Sequence, residues 1–123
     1  MKLSKTLLQR LQSAFNYAQK KCKTAYHFNF NACMPKDFIE SGHGPEAIMA
    51  IRRTERGMDD ESHFIIDVNI PVASARSMAV LRLDAGHEVI HAMLFDLYEK
   101  NNVKNLENAV YKLQRAFFGE ENV

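Results

Sequence analysis

Apolar residues recur along the chain in two rhythms, and the changes between them mark its elements. In residues 4–21, Leu7, Leu8, Leu11, Phe15 and Ala18 fall at helical spacing with Gln, Lys and Arg between them. That predicts an amphipathic opening helix. Residues 25–32 switch to period two, where Tyr26, Phe28, Phe30 and Ala32 alternate with His27, Asn29 and Asn31. This is the pattern of a half-buried strand. Residues 33–45 contain Pro35 and the run Ser41-Gly-His-Gly-Pro45, so they are expected to form a loop. Residues 47–53 and 64–70 suit strands, and the polar stretch 54–61, with Gly57 in it, suits the turn of a hairpin.

Pro71 is expected to close the third strand and Ser74 to cap the next helix, which runs from residue 75 to about 98 with Gly86 interrupting its pattern. After Asn101 and Asn102, the residues Val103, Leu106, Val110, Leu113 and Phe117 mark a final amphipathic helix ending near Gly119. The predicted order is α-β-β-β-α-α. It implies an α+β fold in which a small three-stranded sheet packs with an N-terminal helix, a long helix carrying the chemistry and a C-terminal helix.

Composition narrows the class. With 123 residues, 46% of them hydrophobic, the chain suits one domain spanning residues 1–123. Sixteen basic against fifteen acidic residues give a net charge of +1, which supplies no global attraction to nucleic acid, membrane or acidic partners. The local clusters Lys20-Lys-Cys-Lys23 and Arg52-Arg53 with Arg56 keep a nucleic-acid-associated reading as an alternative, although solvated faces account for such runs. Cys22 and Cys33 lie outside any CxxC pattern, the start MKLSKTLLQR lacks a signal peptide's apolar run, and no segment has the apolar length of a membrane span. A soluble, cytoplasmic protein with free thiols is expected. Cys22 continues the apolar stripe of the first helix and reads as core filler.

The candidate chemistry lies in Asp84-Ala-Gly-His-Glu-Val-Ile-His-Ala92. On a helix, His87 and His91 leave the same face about 5.4 Å apart, so two ring nitrogens can reach one ion. A catalytic zinc takes three protein ligands and keeps a fourth position for water. Glu88 is placed to take that water's proton and return it to a leaving amine. Leu83, Ile90 and Leu94 share the histidines' face, where unpaired imidazoles would be costly and a metal would satisfy one nitrogen of each.

Glu107, on the next helix beside Leu106 and Val110, is the preferred third ligand. It can face back toward the histidines if the two helices cross, whereas a tight antiparallel hairpin would instead bring Tyr111 level with His91. Glu99 is about 12 Å along the helix from His91, too far for one ion. Asp96, Glu120 and Glu121 are weaker candidates, and His63 or His43 would offer a third nitrogen from the sheet or the loop. Tyr111, Tyr98 and His63 are candidates to polarise an oxyanion, and Asp84 to orient an imidazole.

The segment His87-Glu-Val-Ile-His91, preceded by Phe64-Ile-Ile-Asp-Val-Asn-Ile70, resembles the minimal zincin core of small gluzincin-type metallopeptidases, in the style of stand-alone phage and prophage proteins. The resemblance covers roughly residues 47–117, from the strand pair to Leu106-Glu-Asn-Ala-Val110. It implies a zinc-dependent peptidase in which a sheet edge, here residues 47–53, holds an extended protein or peptide substrate by backbone hydrogen bonds. The extended metzincin motif is lacking. A deformylase would need a Glu-Gly-Cys-Leu-type segment where Cys33 lies in Ala-Cys-Met-Pro, and a three-histidine RNA-processing site would need a further His soon after His91. A different class of function is a non-catalytic protein-binding module, such as a phage-encoded inhibitor that keeps the scaffold.

Overall fold

The structure, a computed structural model, describes residues 2–53, 63–101 and 106–119, and in residues 96–101, 106 and 108 the backbone alone. The opening helix α1 (Lys5–Cys22) begins where Ser4 Oγ accepts a hydrogen bond from the Leu7 amide at 3.1 Å, a side-chain N-cap. It ends at Lys23, whose left-handed backbone (φ 55°) lets the Thr24 amide reach back to the Gln19 carbonyl. Leu7, Leu11, Ala14, Phe15, Ala18 and Cys22 form its buried stripe, as their spacing predicts.

Strand β1 (His27–Cys33) follows, and the rings of Phe28 and Phe30 lie 4.9 and 5.1 Å from that of Phe15. The expected loop over 33–45 is corrected in part, because a short helix, α2 (Pro35–Glu40), forms within it. Pro35 breaks a helix in the middle but suits its first turn, where no amide partner is needed. Asp37 then accepts from the Met34 amide at 2.7 Å, and Phe38 anchors the turn in the interior.

Strands β2 (Met49–Arg53) and β3 (His63–Asn69) pair antiparallel, as the hairpin reading requires. Its turn, with Gly57 and Arg56, falls outside the described residues. The sheet order is β1-β3-β2, with β1 parallel to β3. Phe64, Ile66, Val68 and Met49 are buried, while the intervening His63, Ile65 and Asp67 of β3 alternate with them as period two demands.

The third strand does not stop at Pro71. It ends at Asn69, and Pro71 sits in the first turn of the five-residue helix α3 (Ile70–Ser74). The long helix α4 (Met78–Asn101) therefore starts later than expected, with Ser77 rather than Ser74 at its start: Ser77 Oγ accepts from the Val80 amide at 3.3 Å. It passes through Gly86 without a break. Helix α5 (Leu106–Phe118) ends at Gly119, whose φ of 72° suits a residue without a Cβ.

The chain is thus α+β: among the described residues, five helices and a three-stranded mixed sheet. Helix α4 contacts α1, β2 and α5, and buries Leu81, Ala85, Val89, Ile90 and Ala92. Cys22 and Cys33 are both free, and burial pushes the Cys22 thiol up to about 11. Among the described residues no helix is long and apolar enough to cross a membrane.

Candidate metal centre

His87 and His91 leave α4 on successive turns, half-buried between α4 and α5, with their Nε2 atoms 3.2 Å apart. Glu107, in the first turn of α5, reaches both: Oε1 lies 2.6 Å from His91 Nε2 and Oε2 lies 3.3 Å from His87 Nε2. The displacement that a tight hairpin would impose is therefore absent. The three residues together offer ligand atoms within 4.8 Å of one another, the one such group among the described residues.

The fit to zinc can be judged from these distances. A tetrahedral ion with bonds of about 2.0 Å spaces its ligand atoms about 3.3 Å apart. The His87–His91 and His87–Glu107 separations of 3.2 and 3.3 Å meet that value, whereas the 2.6 Å His91–Glu107 contact is a close hydrogen bond, shorter than that spacing, which would have to open for an ion to enter. Two imidazole nitrogens and a carboxylate, the last with its side chain 58% exposed toward solvent, match the donor set of an open zinc site.

Glu88 stands outside this group of atoms. It is 7% exposed, and among the described residues its Oε2 has no hydrogen-bond partner. Burial, reinforced by the negative charges of Glu107 and Asp84, pushes its carboxyl up to about 8. Asn69, fully buried, is held by donating to the carbonyls of Pro45 and Ala47 at 3.0 and 2.8 Å. Burial, and then the neighbouring His87, lower the pKa of His91, while Glu107 opposes them.

The other expected residues fall elsewhere. His63 stacks on His27 across β1 and β3, with ring centroids 4.6 Å apart, and His43 packs against Phe38. Neither belongs to the cluster. Asp96, Glu99 and Tyr98 have side chains outside the described residues, and Glu120 and Glu121 lie outside them altogether. Tyr111 is 56% exposed, its ring 5.0 Å from that of His87. Asp84 pairs with Arg76 at 3.5 Å, and burial raises its pKa against the pull of Arg76 and His87.

The residue that meets His87 Nδ1 is instead Gln114, whose Oε1 lies 3.2 Å away. Its place on α5, seven residues after Glu107 and so two turns along the same face, follows from the sequence spacing. A Gln on a helix surface carries no chemical signal of its own, so the sequence does not single it out. Of the basic clusters, Arg52 forms a two-point pair with Asp67, and Arg53 lies over the rings of Phe64 and Phe95. No family model, curated protein or solved structure matches the chain.

Proposed function

We propose that the chain is a zinc-dependent peptidase, with His87, His91 and Glu107 as metal ligands and Glu88 as the proton carrier. The observation that supports this reading is the convergence of two imidazoles and one carboxylate from two helices on a single point. Zinc there would supply a Lewis acid that brings the pKa of water toward neutrality and draws charge from a scissile carbonyl. In its ionised form, which the charge of a bound cation would favour over the neutral form that burial favours, Glu88 takes a proton from the attacking water and passes it to the departing amide nitrogen. Its burial keeps that carboxyl out of bulk water, and its absence from the ligand group leaves it free for this work. Tyr111 offers an exposed phenol beside His87 to a developing oxyanion. Strand β2, at one edge of the sheet and against α4, suits an extended peptide bound through its backbone.

The test is metal analysis of the purified protein together with hydrolysis of an unstructured peptide library. Stoichiometric zinc is expected, and Glu88→Gln should keep it while losing activity by about 10²–10⁴-fold. Wild-type hydrolysis in that variant, or folded protein with no affinity for zinc, overturns the reading. Zinc bound without hydrolysis by the unmutated protein supports the non-catalytic binding module instead.

A further inference from the structure

We propose that Gln114 is a positioning residue that holds His87 in its Nδ1–H tautomer, so that the Nε2 lone pair faces His91 and Glu107. Its usefulness rests on the zinc reading above, but the tautomer itself does not.

A side-chain amide has one donating and one accepting end, and its orientation follows from a neighbour that has only one role. The Leu83 backbone carbonyl is such a neighbour, since it can only accept. It lies 3.1 Å from Gln114 Nε2, which therefore donates to it. Gln114 Oε1 must then point the other way, 3.2 Å from His87 Nδ1. An amide oxygen only accepts, so His87 Nδ1 carries the hydrogen. A neutral imidazole has one N–H and one lone pair, which leaves the lone pair on Nε2.

That nitrogen is the one in the cluster, 3.2 Å from His91 Nε2 and 3.3 Å from Glu107 Oε2. His91 Nε2–H can satisfy Glu107 Oε1 at 2.6 Å. Between His87 Nε2 and Glu107 Oε2, however, the tautomer sets two acceptors facing each other, an arrangement that a cation relieves. Helix α5 thus acts twice. Its first turn brings the carboxylate, and two turns later Gln114 chooses which histidine nitrogen meets it. The reverse tautomer would place a lone pair against Gln114 Oε1 and lose one of the two hydrogen bonds by which Gln114 ties α5 to α4.

Long-range ¹⁵N imidazole spectra of the metal-free protein at about pH 8, above the usual histidine titration, read the tautomer directly. His87 is expected to show a protonated Nδ1 and an unprotonated Nε2. Gln114→Glu, which keeps an acceptor facing the ring, should retain that signature. Gln114→Leu should give a mixture of tautomers and weaken zinc binding about 10–100-fold, while a structural bridge alone would leave the ring spectrum unchanged. A protonated His87 Nε2 in the unmutated protein overturns the proposal, as does Gln114→Leu with both tautomer and zinc affinity unaltered. Should that variant fail to fold, the spectrum of the unmutated protein still decides. Unmutated protein that shows the expected tautomer but binds no zinc sinks the metal reading while supporting the assignment of Gln114.

Discussion

Glu88 is a carboxyl group in surroundings that favour its neutral form. Its pKa rises from 4.5 to about 8, chiefly through burial. Between those values the folded, metal-free protein keeps a proton that the unfolded chain has released, so the stability from this group is complete below about pH 4.5 and is lost as the pH rises through 8. His91 works in the opposite sense. Its lowered pKa means that stability is complete above 6.5 and falls as the pH drops below that value. Denaturation of the metal-free protein at pH 6.5 and 8 isolates Glu88. The unmutated protein should lose on the order of 2 kcal/mol across that interval, and Glu88→Gln should lose much less. Equal slopes would mean that Glu88 ionises freely in the folded state.

At the scale of elements, the contact between α4 and α5 depends on Gly86. A Cβ there would lie 2.5 Å from Cζ of Phe118, which is itself 3% exposed in the core. The glycine that breaks the apolar pattern of α4 is therefore a seat for the end of α5. Gly86→Ala gains about 1 kcal/mol of helix propensity, but a buried aromatic ring has little room to move, and overpacking costs about 1–3 kcal/mol. Chemical denaturation should show a net loss of roughly 1 kcal/mol. In a Phe118→Leu background the alanine should become neutral or stabilising, since the two positions are coupled through the same space. An alanine that stabilises the otherwise unmutated protein would show that the ring yields easily.

For the whole molecule, the proposed ligand set joins two helices that are separate in sequence. Zinc bound by the folded state alone stabilises it by about 2.7 kcal/mol at a free concentration one hundred times Kd. For a chain of this size that corresponds to a Tm rise on the order of 10 °C. A His87→Ala, His91→Ala double variant should show no zinc-dependent shift, and chelator should return the unmutated protein to its metal-free Tm. Indistinguishable melting with zinc and with chelator would argue against a site that spans α4 and α5.

Much of this architecture was legible in local patterns. Helical spacing from Leu7 to Cys22, alternation around Phe28 and Phe30, and the glycine at 119 each report the conformation of their own backbone, because side-chain direction repeats with that backbone. The same rule puts His87 and His91 on one face of any helix that contains them. Local patterns misled where one residue suits two settings: Pro35 and Pro71, read as breakers, open short helices instead. Other features depend on distant contacts that no single element encodes. Parallel pairing of β1 with β3, the ring of Phe118 over Gly86, the convergence of Glu107 on the histidines and the grip of Gln114 on Leu83 and His87 are of this kind. They arise when packed elements set the distance between residues remote in sequence, and that distance decides which polar atoms meet.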